Sequence, residues 1–115
     1  MAAEAKGIAS FENFAALDIR VGTVLDVQPF PRARNPSYKV LLDLGPLGTR
    51  WSSAQITNYA ADELIGTQLC CIVNFEPRNV AGFLSEVLIL GAAGEGRDVI
   101  VVSPRSRVEN GARLY

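Results

Sequence analysis

The 115-residue chain, 49% apolar and 20% charged, has the composition of one compact globular domain rather than a disordered segment. Eleven basic residues against twelve acidic ones leave a net charge of −1, which excludes a uniformly basic nucleic-acid binder. The absence of histidine removes Ser-His-Asp and Cys-His nucleophiles, and two cysteines without histidine make no common zinc site.

In chain order, "SFENFAAL" reads as a short helix with Ser10 as its N-cap, because Phe11, Phe14 and Leu17 recur at helical spacing. The period then becomes two. In "IRVGTVLDV", Ile19, Val21, Thr23, Leu25 and Val27 share one face of a half-buried strand. Three prolines in "PFPRARNP" make it a loop. "YKVLLDL" and "TRWSSAQ" are expected as a hairpin around "GPLG", and "ITNYAADELIG" as a short helix closed by Gly66. "TQLCCIVNF" reads as a fourth strand. "EPRNVAGF" is then a loop, "SEVLILG" a fifth strand, "GAAGEGR" a turn and "DVIVV" a last short strand before an irregular tail.

Five strands with a short helix between the third and fourth give the order of an all-β OB-fold, a five-stranded Greek-key barrel. Residues 1–9 read as an N-terminal extension and 10–115 as the domain. OB-folds bind through strands two and three and through the loops joining strands one to two and four to five. Both of those loops carry arginine here: Arg32 and Arg34 on one, Arg78 on the other. Between Pro29 and Ala61 four basic residues stand against Asp43 alone, and nine of the eleven basic residues are Arg, the side chain suited to bidentate contacts. The chain has no Gly-rich phosphate loop, no apolar stretch near the roughly 20 residues that span a bilayer, and no basic start with a long apolar run at its beginning. A cytoplasmic, non-enzymatic protein without cofactor, metal or membrane insertion is therefore expected.

"LDIRVGTV", "FPRARNPSYKVLLDLG", "SSAQIT" and "VNFEPRNVAGFLSEVLILG" closely resemble the CsaA family of secretion-related chaperones. That family lies within a larger group of tRNA-binding OB-fold domains, some appended to methionyl- and phenylalanyl-tRNA synthetases. The likeness is dense from Phe14 to Leu90 and looser beyond. It implies a non-catalytic homodimer that binds unfolded or secretory polypeptides, with tRNA as a second ligand. A tRNA-binding accessory protein using the same arginine loops is the alternative. Synthetase-type domains usually carry "HPxADKL" in the first loop and "SxGM" later. This chain has "FPRARNPSYKV", and Ser85, Glu86, Val87 and Leu88, so Ser85 carries over and the departures lean toward the chaperone branch.

The candidate contacts follow. Arg32, Arg34 and Arg78 are charged loop tips, whose bland alternative is solubility or an ion pair with Glu76 or Glu86. Lys39 and Arg50 are expected to face one another across the hairpin with an anion between them. Ser52, Ser53 and Gln55 offer hydrogen bonds to peptide amides or phosphates, while Thr57 is expected to cap the following helix. Asn74 borders the second loop and Phe83 or Leu84 could meet apolar side chains. Trp51 and Phe75 are expected in the core. Cys70 and Cys71 read as buried, reduced thiols. Strands apolar on both faces, "DVIVV" and Cys70 and Ile72 against Cys71 and Val73, suggest a homodimer seam, with a wrapped N-terminal helix over the same surface as the alternative.

Overall fold

A computed structural model describes residues 4–115; the first three residues of the expected N-terminal extension lie outside them. Helix α1 (Phe11–Ala15) begins where Ser10 predicts it. Ser10 Oγ accepts the Glu12 N–H at 3.2 Å, and Asn13 Oδ1 accepts the Ser10 N–H at 3.1 Å. The helix is one turn long, and Phe11 and Phe14 stay exposed.

Strands β1 (Ile19–Pro29), β2 (Tyr38–Asp43), β3 (Thr49–Ala54), β4 (Gln68–Ile72) and β7 (Leu88–Ile89) form one antiparallel sheet in the order β3-β2-β1-β4-β7. It curls into a nearly closed five-stranded barrel, as an all-β OB-fold requires. Strand β1 serves two partners, pairing through Ile19–Thr23 with β4 and through Thr23–Pro29 with β2. A bulge between Val24 and Asp26 makes the bend. It also overturns the predicted alternation: Val24 and Val27 both reach the core, and Leu25 is turned out. Gly22 sits where β1 passes closest to the turn after β2. A Cβ there would fall 2.8 Å from Leu44 Cδ2 and 3.1 Å from the Asp43 carbonyl oxygen.

The core inside the barrel is built of Val24, Val27, Val40, Leu42, Leu44, Ile56, Leu64, Leu69, Cys71 and Val87. All five residues of β4 are buried, and the reason differs from the one expected. Ile19, Val21 and Thr23 lie opposite Ile72, Cys70 and Gln68, and this outer face is closed within one chain by the C-terminal segment. Gln68 Nε2 donates to the Val108 carbonyl at 2.7 Å and Gln68 Oε1 accepts the Val108 N–H at 3.0 Å. Thr23 Oγ1 donates to Asn110 Oδ1 at 2.6 Å. Beyond Asn110 the tail runs along β1: Val21 N–H to Ala112 O at 2.9 Å, Gly111 N–H to Val21 O at 2.7 Å, Leu114 N–H to Ile19 O at 2.9 Å. The double-sided apolarity of β4 is thus no sign of a second copy. On the last strand, β9 (Val99–Val101), Val99 and Val101 pack on the core while Ile100 and the following Val102 remain exposed.

Three elements differ from the expected ones. "EPRNVAGF" is a loop only in part: β5 (Arg78–Val80) and β6 (Phe83–Ser85) form a hairpin across an Ala81-Gly82 turn with φ of 49° and 86°. The apolar run that follows is broken into β6, β7 and β8 (Gly91–Ala93), and β8 pairs with β9, so the predicted Gly-rich turn shrinks to the residues between them. Helix α2 is a single turn, Ala61–Leu64, capped at Ala60 by Glu63 Oε1 at 2.7 Å rather than by Thr57, which is exposed.

Candidate ligand-binding surface

Pairing across the β2–β3 hairpin decides which side chains face outward. The turn takes in Leu44 to Gly48, closed by Leu44 N–H to Gly48 O at 2.9 Å, so Asp43 lies opposite Thr49. Lys39 therefore pairs with Ser53, Leu41 with Trp51, and Leu42 with Arg50. Since Val40 and Leu42 fill the core, Ser52 points inward with them. It is 1% exposed and donates to the Val87 carbonyl at 2.8 Å, so it does not reach the outer face. Arg50 shares that parity at the end of the barrel, where its guanidinium donates to the Thr49 carbonyl at 3.0 Å. The expected Lys39–Arg50 pair does not form, because residues of opposite parity leave a hairpin on opposite faces. For the same reason Trp51, expected in the core, lies on the outer face.

The β5–β6 hairpin folds onto that face. Arg78, Val80, Phe83 and Ser85 share its inner side, and Asn79 and Leu84 its outer side. The Phe83 ring meets Trp51 edge-on at 5.8 Å and Phe30 at 5.4 Å, and the Lys39 ammonium sits 4.9 Å from the Phe30 centroid and 5.0 Å from that of Phe83. Phe30 is 4% exposed. This cluster ties the loop at residues 30–37 to the hairpin through one cation. Next to it the edge of β3 is closed by side chains. Ser85 Oγ accepts the Ser53 N–H at 2.9 Å and Glu86 Oε1 accepts the Trp51 N–H at 2.9 Å, while Glu86 N–H donates to Trp51 O at 2.8 Å.

Where side chains replace a backbone ladder the barrel seam stays open. The opening is a cleft of about 240 Å³ walled by Phe75, Leu88 and Val87, with Ser53 and Ser85 in its lining and Arg78 and Glu76 beside them. Phe75 is 47% and Leu88 46% exposed. Phe75 is thus a wall of the cleft and not the core residue expected. Arg34 lies elsewhere, in a trough with Pro31, Pro36, Tyr38 and Thr57. Gln55, past the end of β3, lines a hollow with Asn35, Thr57 and Arg97. Arg32 is exposed on its loop. Asn74 does not join the loop surface: its Oδ1 accepts the Asp18 N–H at 2.8 Å and its Nδ2 donates to the Ala16 carbonyl at 2.9 Å, which pins α1 to β1.

Of the eleven residues expected to touch a ligand, the structure gathers Lys39, Ser53, Arg78, Phe83 and Ser85. Phe30, Trp51, Phe75 and Leu88, which were not among those eleven, border the same surface, while Arg97 lines the separate hollow with Gln55. Reading the turn as five residues would have turned Trp51 outward, but nothing in the sequence marks the approach of the hairpin to β3.

Charge is distributed unevenly. Among the described residues the one ion pair is Arg20–Asp18 at 2.6 Å, and that hydrogen bond raises the Arg20 pKa. Arg32, Arg34, Lys39, Arg50 and Arg78 carry no such partner, although Glu76 and Glu86 share the cleft with Arg78. Cys70 and Cys71 are free, buried thiols; burial raises both, and Cys71, also beside Cys70, is pushed up to about 12. No group of three His, Cys, Asp or Glu side chains among the described residues is placed to hold a metal ion.

Comparison with known proteins agrees with this architecture. The family model described as "Putative tRNA binding domain" matches residues 19–113. Among curated proteins, the methionine–tRNA ligase of Porphyromonas gingivalis is 37% identical over 105 residues, 91% of this chain and 15% of that protein. The corresponding ligase of Bacteroides fragilis is 39% identical over 90% of this chain and 15% of its own length. The chain thus spans about 15% of the length of the curated relatives it matches. Among solved structures, chaperone CsaA from Bacillus anthracis superposes with a TM-score of 0.90 at 44% identity, covering 95% of this chain and all of that one. CsaA from Picrophilus torridus gives 0.89 at 40% identity, covering 94% and 100%. These likenesses are to binding domains, with a tRNA-binding or a chaperone role. The chain belongs to the tRNA-binding domain family, in the branch of CsaA.

Proposed function

We propose that this protein is a non-catalytic chaperone of the CsaA kind, binding unfolded or export-destined polypeptides in the cytoplasm as a homodimer. The cleft beside β3 is the observation that carries this reading. Half-exposed Phe75 and Leu88 form apolar walls, Ser53 and Ser85 supply hydroxyls, and Arg78 is free of any ion pair among the described residues. At about 240 Å³ the cleft is smaller than the roughly 300 Å³ at which drug-sized pockets begin, so it suits one apolar side chain of an extended segment. Arg78 then favours an acidic residue or a backbone carbonyl beside it. The apolar surface available to a second copy is the hollow of about 400 Å³ between α1 and the tail, bordered by exposed Phe11, Phe14 and Tyr115.

Fluorescence anisotropy of a labelled extended peptide carrying Leu and Glu side by side tests the reading. Leu88→Ser and Arg78→Ala should each weaken binding about tenfold, a loss of ~1.4 kcal/mol. Unchanged binding in both variants refutes it.

A tRNA-binding accessory role is the second reading, favoured by loop arginines that have no ion-pair partner among the described residues. It predicts that log affinity for RNA falls with log salt at about 0.7 per phosphate contacted on single strands. Peptide binding should vary less with salt.

A further inference from the structure

Of the six asparagines in the chain, Asn110 precedes glycine, while the others precede Phe14, Pro36, Tyr59, Phe75 and Val80. Glycine leaves the amide nitrogen after Asn110 unshielded, and the fold demands glycine there. Gly111 has a φ of 88°, and a Cβ on it would fall 2.5 Å from the Leu44 carbonyl oxygen and 3.0 Å from Pro46 Cδ. The same two residues tie the C-terminal segment to the barrel. Asn110 Oδ1 accepts from Thr23 Oγ1 at 2.6 Å and from Gln68 Nε2 at 3.2 Å, and both donors are buried residues. Gly111 N–H donates to the Val21 carbonyl at 2.7 Å, and the Gly111 carbonyl accepts from Arg20 Nη1 at 3.0 Å. Arg107 Nη2 lies 3.4 Å from the same Thr23 Oγ1.

We infer that Asn110 is a site of spontaneous deamidation, and that isoaspartate formed there releases the C-terminal segment from the barrel. The Gly111 amide nitrogen, once deprotonated, attacks Asn110 Cγ. The Cγ–Nδ2 bond breaks, ammonia leaves with the proton, and a five-membered succinimide closes. Water then opens the ring at either carbonyl. The balance is an amide plus water giving an acid plus ammonia, with no redox change and no reagent besides water. Opening at the side-chain carbonyl leaves aspartate, which still offers an oxygen to Thr23 and Gln68. Opening at the main-chain carbonyl leaves isoaspartate, whose backbone runs through Cγ and is one atom longer. Gly111 N–H is then displaced from the Val21 carbonyl, and the pairing through Ala112 and Leu114 slips with it.

The latch sets the rate of its own loss. Cγ turns onto the Gly111 nitrogen only after Thr23 and Gln68 let go of Oδ1 and Val21 lets go of the Gly111 N–H. Deamidation therefore proceeds from the locally opened segment, at the intrinsic rate scaled by the opened fraction. The product does not revert unaided, so brief openings accumulate as permanent loss of the strand. What is bared is the edge of β1 and the face of Ile19, Val21, Cys70 and Ile72, all buried while the segment is seated. Aged copies thus present a contiguous apolar patch that new copies cover.

The test ages the intact chain at neutral pH in heavy-oxygen water, which marks conversion during ageing apart from conversion during digestion, and follows the tryptic segment from Val108 to Arg113 by mass spectrometry. A synthetic peptide of residues 108–115 sets the intrinsic rate. The native chain should convert at Asn110 at least about tenfold more slowly than the peptide, and Gln68→Ala should recover about tenfold of that difference. Thr23→Val, which removes the other donor to Asn110, serves if Gln68→Ala does not fold. The other five asparagines should stay unconverted. Isoaspartyl chains should alkylate faster at Cys70 and lose protection of the Val21 and Leu114 amides, whereas Asn110→Asp should behave as the native chain in both. The inference is overturned by any of three results: no conversion at Asn110 in the native chain or the opened variant while the peptide converts fully, conversion as fast in the native chain as in the peptide, or isoaspartyl chains whose Cys70 reacts as slowly as the native thiol.

Discussion

Phe83→Ala removes the one ring that fastens the β5–β6 hairpin to the barrel. Its magnitude follows from what the ring touches. Two edge-on aromatic pairs, with Trp51 and Phe30, contribute about 0.5–1.5 kcal/mol each beyond area, and the Lys39 ammonium about 0.5–1 kcal/mol. Burial adds to this, but Phe83 is only partly buried, so the 3–5 kcal/mol typical of a fully buried Phe→Ala is an upper bound. A loss of about 2–3 kcal/mol is expected in urea unfolding. The lone tryptophan supplies a second readout, since Trp51 meets the Phe83 ring edge-on. In the folded variant its emission should shift to the red and become accessible to a neutral quencher, with far-UV circular dichroism preserved. Leu84→Ala, on the outer side of the hairpin, is the control and should cost under about 0.5 kcal/mol. If Phe83→Ala matches the control in both stability and Trp51 emission, the hairpin is not held by this cluster.

Gln68→Ala breaks both hydrogen bonds to Val108 and should destabilise by about 1–3 kcal/mol, with faster amide exchange at Val21 and Leu114 and faster alkylation of Cys70 beneath the tail. Native Cys71 should resist iodoacetamide at pH 8, because a pKa of about 12 leaves a thiolate fraction on the order of 10⁻⁴. The same shift has a sign in stability. The folded thiol holds its proton more tightly than the unfolded one, so its contribution is intact below pH 9 and is lost as pH rises from there toward 12; Cys71→Ala should flatten that alkaline decline. Asn74→Ala should release α1 from β1, seen as lost protection of the Asp18 amide, without changing peptide affinity.

Much of the barrel was legible because its signals are local. Ser10 as a cap, the alternation of "YKVLLDL" and Gly66 at the end of α2 each needed only near neighbours. The failures share a different cause, since each depends on one extra residue or on a distant partner. The bulge near Leu25 reverses parity within β1, and the five-residue turn reverses it between β2 and β3, which moved Trp51 outward and Ser52 inward. Such a slip flips every side chain downstream while leaving the strand assignment intact. Burial of both faces of β4 was correctly read, but the cover came from the chain's own tail about 40 residues later, which no periodicity announces. The same holds for the site. Arg78 and Ser85 were visible as loop residues, yet their grouping with Ser53, Phe75 and Leu88 exists only because the hairpin folds back on β3.

The claim that a polypeptide ligand occupies the open seam between β3 and the hairpin is tested most directly by hydrogen–deuterium exchange of the intact chain with and without a saturating, permanently unfolded polypeptide. Protection should rise at residues 75–88 and 51–53. Protection confined to α1 and the tail, or none anywhere at saturation, would contradict the account.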